Sequence, residues 1–291
     1  MDDNKLYKAL LKSQEERRQH KAQPGEARSE EQFRKERPFA GTQRRIPDLG
    51  PIVTDAADHR PTVYDPALSL GMIANPKPWT QQQLREKKII YPGMPDKRVM
   101  DAYRELRIQL RNRAGDKSFT VMYSSLGNDS GSVLTAYNLA AAFAMDAHTS
   151  ALLVDCDPHD NALPALVSSK MGSGVTDYVA DAKVDIKSIL YPSGVDRLTV
   201  VPAGTRVSHA VELFAAARMR DLMQELKHRY PDRCIVLNTP PIRRSTEARI
   251  LERFADQIVF GVPFGNVTAE TAAECVDAVD PQKFAGLVFQ E

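Results

Sequence analysis

The stretch FTVMYSSLGNDSGSVLTAYNLA, residues 119–140, decides the fold. It opens on a continuous apolar run at 119–124, passes through a loop containing Gly127 and Gly131, and enters a helix-like pattern over 133–146. An uninterrupted apolar run suits a strand buried on both faces of a parallel sheet. A strand that feeds a helix through such a loop is where α/β proteins hold phosphates. The cradle needs glycine for close backbone approach, Lys for the β- and γ-phosphates and a Ser or Thr hydroxyl for Mg²⁺. Loop length and Gly131 satisfy that pattern, but Ser132 stands at the Lys position and Val133 at the hydroxyl position. Motif scanning alone rejects the loop.

Working outward, similar runs recur at 151–155, 198–202, 234–239, 257–262 and 284–289. Helix-like segments separate them at 160–169, 208–229, 245–254 and 267–279. Before the first strand, 100–113 places Met100, Tyr103, Leu106 and Leu110 on one face, as an amphipathic helix does. The alternation predicts a doubly wound, mostly parallel α/β domain over 97–291. Upstream the composition changes, with ten of the 19 prolines in the first 100 residues. Residues 13–60 are dominated by Glu, Arg, Lys, Gln and Pro, which cannot bury enough apolar surface to offset the entropy of ordering. Residues 1–96 are therefore expected to be largely disordered. The exception is a short helix at 5–18 carrying Leu6, Tyr7, Leu10 and Leu11, either solvated or a docking segment. Trp79, in Pro-Lys-Pro-Trp, is a candidate anchor of this linker on the domain.

Charge balance excludes other classes. Thirty-nine basic and 38 acidic residues give a formal charge of +1, so nucleic acid is not bound through bulk charge. No apolar run approaches the ~18 residues of a membrane span, and no signal peptide opens the chain. The three cysteines, Cys156, Cys234 and Cys275, sit far apart in apolar stretches, as buried thiols of a reducing compartment do. A cytoplasmic protein is expected.

Two more strand ends carry polar groups. Asp155 and Asp157 follow the second run at i, i+2 spacing, on one side of the extended chain, where carboxylates commonly hold Mg²⁺ or orient an attacking group. Asn238, in Asn-Thr-Pro-Pro, ends another strand where an Asp would stand beside the metal. Cys156 lies between carboxylates, which disfavours a thiolate. His159, after Pro158, reads as an exposed loop residue, with a base as the alternative, and Arg243-Arg244, after Pro241, is a candidate contact for an acidic partner.

Taken together these segments resemble the bacterial tyrosine kinases of capsule and exopolysaccharide assembly, relatives of the MinD/ParA-type P-loop ATPases. The resemblance runs from about Asp101 to the end. Asp101, Arg104 and Arg107 look like that family's Glu-x-x-Arg-x-x-Arg helix, with Asp for Glu. The loop is similar to Ser-x-x-Pro-Gly-Glu-Gly-Lys-Ser-Thr…Asn-Leu-Ala, keeping Ser125, Gly131, Thr135, Asn138, Leu139 and Ala140. Residues 152–159 match an apolar run followed by Asp-x-Asp-x-Arg, with His159 for Arg. Pro202-Ala203-Gly204, Glu212-Leu213, Arg218-Met219 and Asn238-Thr239-Pro240-Pro241 match further segments in order.

The resemblance implies a P-loop fold, a nucleotide pocket at Gly131, Ser132, Asp155, Asp157 and Asn238, and self-association through the helix of Asp101, Arg104 and Arg107. The departures imply loss of catalysis. Ser132 lacks the charge that stabilises a transferring phosphoryl group, Val133 lacks the hydroxyl for Mg²⁺, and Asn238 lacks a carboxylate. One lost electrostatic donor typically costs ~10²–10³ in rate. The family's C-terminal tyrosine cluster is not found before Glu291, so the usual phosphorylation substrate is expected to be missing. The expectation is a non-catalytic interaction protein of exopolysaccharide synthesis or export, with no cofactor. It would dock on a membrane polysaccharide co-polymerase or self-associate, peripheral to the inner membrane through that partner. The alternative is an active kinase or ATPase, with ATP and Mg²⁺, using a Lys from elsewhere such as Lys117 or Lys170.

Overall fold

A computed structural model describes residues 75, 77–115, 117–127, 132–146, 149–229 and 233–290, all in a compact unit spanning Asp65–Glu291. The helix expected at 5–18 lies outside the described residues. The elements run α1 (Gln81–Glu86), α2 (Lys97–Ala114), β1 (Phe119–Ser125), α3 (Ser132–Ala144), β2 (Ser150–Asp155), α4 (Leu163–Leu166), α5 (Val175–Ala180), β3 (Tyr191–Pro192), β4 (Leu198–Val201), α6 (Ala210–Ala215), α7 (Ala217–Arg229), β5 (Arg233–Thr239), α8 (Thr246–Leu251), β6 (Gln257–Pro263), α9 (Ala269–Asp277) and β7 (Phe284–Gln290).

The strands form one sheet in the order β3-β4-β2-β5-β1-β6-β7, parallel throughout except for the antiparallel β3–β4 pair. Every residue of β1, β2 and β5 is buried, which is why these strands are continuous apolar runs instead of alternating ones. Period-two geometry then splits neighbours between layers. Leu153 and Val236 pack with Leu139 and Phe143 of α3, whereas Leu152 and Ile235 pack with Phe214 and Leu222 on the opposite face. Around β1 and β6, Met122, Ile258 and Phe260 pack with Ala272 of α9. Among the described residues, no helix is long and apolar enough to cross a membrane.

Residues 77–96 depart from the expected disorder. Leu84, Ile89, Ile90 and Tyr91 are buried in the same core as α2 and α3. Trp79 donates its backbone N–H to the Gly194 carbonyl and its indole N–H to the Leu166 carbonyl, at 2.8 and 2.9 Å. Gly194 makes room for the ring, since a Cβ there would come within 2.5 Å of it. The side-chain amide of Asn138 accepts from the Ile90 N–H at 3.1 Å and donates to the Lys88 carbonyl at 3.0 Å. The expected boundary at 97 therefore falls inside packed structure. The segment is a strap on α3, and Trp79 is its anchor.

The expected helix at 208–229 divides at Ala216, whose ψ of 156° is extended, into α6 and α7. The segment expected at 160–169 contracts to Leu163–Leu166.

Candidate functional site

The site lies where β1, β2 and β5 end, at the carboxyl edge of the sheet. Parallel register sets Asp155 directly beside Asn238. Ser132 begins α3, the helix that follows the loop after β1, and this brings it over the same point. The Ser132 hydroxyl donates to Asn238 Oδ1 at 3.0 Å, and Asn238 Nδ2 donates to Asp155 Oδ1 at 2.8 Å. Asp155 Oδ1 also accepts from the Asp157 N–H at 3.1 Å. All three side chains are buried. The amide suits this middle position, because its Oδ1 accepts from the hydroxyl while its Nδ2 donates to the carboxylate, and it carries no charge of its own.

Asp157 sits one step further out. Its Oδ1 accepts from the His159 and Asp160 N–H groups at 3.0 and 3.3 Å, tying down its own loop. His159 turns towards α8, with Nε2 3.6 Å from Glu247 Oε1. Gly131 lies outside the described residues.

Burial pushes the Asp155 carboxyl up to about 7, against the opposing hydrogen bonds from Asn238 and the Asp157 backbone. Asp157 is raised for the same first reason, burial, partly offset by the N–H groups of His159 and Asp160. The Cys156 thiol is raised too, by burial and then by the two flanking carboxylates, so it is no nucleophile. A Lys at 132 would place a cation against this carboxylate. Ser132 offers a neutral hydroxyl, which Asn238 consumes. Among the described residues, Ser132, Asn238 and Asp155 bring no cation to this point and hydrogen-bond to one another, an arrangement that does not fit a magnesium nucleotide as a Lys and paired carboxylates would.

Neither alternative lysine stands at this point. Lys117 immediately precedes β1, at the amino end of the sheet, where its carbonyl accepts from Arg111. Lys170 is exposed beside Ser169, which bonds to Pro192 of edge strand β3, two strands away from β2.

The helix triad divides. Arg104 Nη1 pairs with Asp101 Oδ1 at 3.1 Å on the outer surface, where the two side chains are 52% and 67% exposed. Arg107 turns inward, and its Nη1 donates to the Ala142 carbonyl in the last turn of α3 at 3.0 Å. A cation there hydrogen-bonds one of the helix's last carbonyls and opposes the negative end of the helix dipole.

Sequence reasoning missed the Ser132–Asn238 bond. Its signal was the paired loss of one positive and one negative charge at positions whose replacements can hydrogen-bond to each other.

No family model matches the chain. Tyrosine-protein kinase YwqD of Bacillus subtilis is 25% identical over 195 residues, 67% of this chain and 81% of that protein. The putative tyrosine-protein kinase CapB of Staphylococcus aureus is 22% identical over 166 residues, 57% of this chain and 71% of its own. Among solved structures, the chimerical protein CapA2B2 matches with a TM-score of 0.62 at 18% identity, covering 77% of this chain and 98% of its own. The kinase domain of the Escherichia coli tyrosine kinase ETK matches with a TM-score of 0.61 at 20% identity, covering 74% and 88%. The chain is thus similar in sequence to bacterial tyrosine-protein kinases over about two thirds of its length, and it shares the fold of their solved kinase domains.

Proposed function

We propose that this chain is a non-catalytic member of that kinase group, acting in exopolysaccharide synthesis or export through protein contacts. The observation that carries the proposal is the closed Ser132–Asn238–Asp155 hydrogen-bond chain, which occupies the place of a P-loop lysine and its acidic partners. An atypical-lysine enzyme is disfavoured by the distant placement of Lys117 and Lys170. The partner in this reading is the cytoplasmic segment of a membrane polysaccharide co-polymerase, or a second copy of the chain. Contact runs through the outer face of α2, where Asp101 and Arg104 are exposed.

The test replaces Arg104 alone. Arg104→Ala is expected to abolish capture by the co-polymerase segment, or to lower assembled mass in light scattering, with the melting temperature unchanged. Breaking an interfacial charge pair typically costs ~2–5 kcal/mol, enough to dissolve a micromolar assembly. Arg107→Ala is expected instead to lower the melting temperature, because it uncovers the Ala142 carbonyl, a loss of about 1 kcal/mol. Parental capture, assembly and polymer production by Arg104→Ala would contradict the contact. Phosphotyrosine found by mass spectrometry on protein incubated with ATP and Mg²⁺ would contradict the absence of catalysis.

A further inference from the structure

Beyond β5 the chain makes a turn that carries two arginines outward. The Arg244 N–H donates to the Pro241 carbonyl at 3.0 Å, which closes a turn with Ile242 and Arg243 at its centre. Ile242 is buried in the core of Met122 and Phe260, so the turn is plugged into the sheet. Ser124, buried in β1, fixes it further. Its hydroxyl accepts from the Ile242 N–H at 3.0 Å and donates to the Pro240 carbonyl at 2.9 Å. Pro240 and Pro241 each hold their own φ, and Ser245 caps α8 through the Ala248 N–H at 3.1 Å. The backbone under Arg243 and Arg244 is therefore pinned on both sides, while both residues are exposed.

Several arginines of this unit serve its own backbone. Arg107, Arg113, Arg218 and Arg253 each donate to a carbonyl. Among the described residues, neither Arg243 nor Arg244 has a hydrogen bond or an ion pair from its side chain. A third cation stands close by. Burial pushes the Cys275 thiol of α9 up; the Arg243 and Arg249 guanidinium groups oppose this, and Glu274 adds to it. Both guanidinium groups thus lie on the α9 side of the turn. The carboxylate at the start of α8, Glu247, is engaged by Ser245 and His159. Three guanidinium groups against Glu274 leave this corner cationic, in a chain whose formal charge is only +1.

We propose that the Arg243–Arg244 turn binds a phosphate monoester carried on a side chain of a partner protein. The proposal rests on the reading that this chain acts through protein contacts. A guanidinium is a planar fork that pairs with two oxygens of a phosphate at once. A phosphorylated side chain carries about −1.5 to −2 charge near pH 7 and three strong acceptor oxygens, which suits two adjacent forks. A carboxylate has one charge and two oxygens, and a single fork satisfies it. The pinned turn presents its two arginines without a loop to order on binding, which lowers the entropic cost. Its elements are not those of the α2 contact, so the two surfaces can be tested apart.

The test titrates the full chain into labelled peptides of one Gly-Ser sequence that differ only at a central residue: phosphotyrosine, phosphoserine, tyrosine or glutamate. Fluorescence anisotropy is expected to show at least one phosphopeptide binding about tenfold tighter than the tyrosine and glutamate peptides, the value of one hydrogen bond to a charged group. Inorganic phosphate should compete. Arg243→Gln and Arg244→Gln, which keep the turn and remove a charge, are each expected to weaken that binding by about tenfold at an unchanged melting temperature. Arg104→Ala should bind the phosphopeptide as the parent does. Phosphopeptide binding that both Gln variants retain overturns the proposal, as does equal binding of the phosphorylated and glutamate peptides, or no binding of either phosphopeptide. Loss in Arg104→Ala with none in the Gln variants overturns it too, because the phosphate then sits at α2. Capture of the co-polymerase segment is read separately on Arg104→Ala, so the failure of one surface leaves the other standing.

Discussion

Asn238→Asp is expected to fold near pH 5 and to lose several kcal/mol of stability by pH 8. In the parent, the Asn238 amide donates to Asp155 at 2.8 Å inside a fully buried pocket. An Asp at 238 can donate there only while protonated. Once it ionises, two carboxylates face each other with no cation, and an uncompensated buried charge typically costs ~3–5 kcal/mol. The converse variant relieves a strain that the parent already carries. Burial pushes the folded Asp155 carboxyl up to about 7, from an ordinary 3.8 in the unfolded chain. Between those values the folded state keeps a proton that the unfolded chain has released, so this group's contribution to stability falls as pH rises through the window and is constant above it. Asp155→Asn keeps the acceptor oxygen and removes the proton. Its stability relative to the parent should therefore rise from near zero at pH 4 to at most about 4 kcal/mol above pH 7. Urea unfolding at pH 5 and pH 8 reads both variants. An Asn238→Asp loss that is the same at the two pH values would contradict the charge argument.

A chain begun at residue 97, the boundary that composition suggests, is expected not to fold stably. It would lack Leu84, Ile89, Ile90 and Tyr91, all buried against α2 and α3. Each buried side chain of this kind contributes about 1.5–3 kcal/mol, so their sum rivals the ~5–15 kcal/mol that holds a whole domain folded. In the full chain, Trp79→Ala should cost roughly 3 kcal/mol, as aromatic-to-alanine changes do. It should also open the tryptic sites at Lys87 and Lys88 ahead of global unfolding. Equal melting temperatures of the full chain and the shortened one would show that the strap contributes nothing.

The main strands were legible because the sheet is covered on both faces, so each became an uninterrupted apolar run. The strap was not legible. Its apolar groups fall between Pro78 and Pro92 at irregular spacing, and their partners are Asn138, Leu166 and Gly194, far along the chain. The edge strand β3 was missed because two residues give no pattern. In the site, Ser132, Asp155 and Asn238 could be placed by motif. Their mutual bonds could not, since they link positions 106 and 83 residues apart. Arg107 was grouped with Asp101 and Arg104 by spacing alone. Steps of three residues drift about 60° around a helix, so the third member reaches the inner face and meets Ala142.

Thermal unfolding with and without millimolar ATP and Mg²⁺ shows whether the pocket satisfies itself and no longer takes a nucleotide. A ligand bound only by the folded state adds ~2.7 kcal/mol at a hundredfold excess over its Kd. A self-satisfied pocket gives no shift in melting temperature and no magnesium-dependent ADP release above a heat-killed control. An upward shift of several degrees, or ADP release that grows with protein concentration, would contradict it.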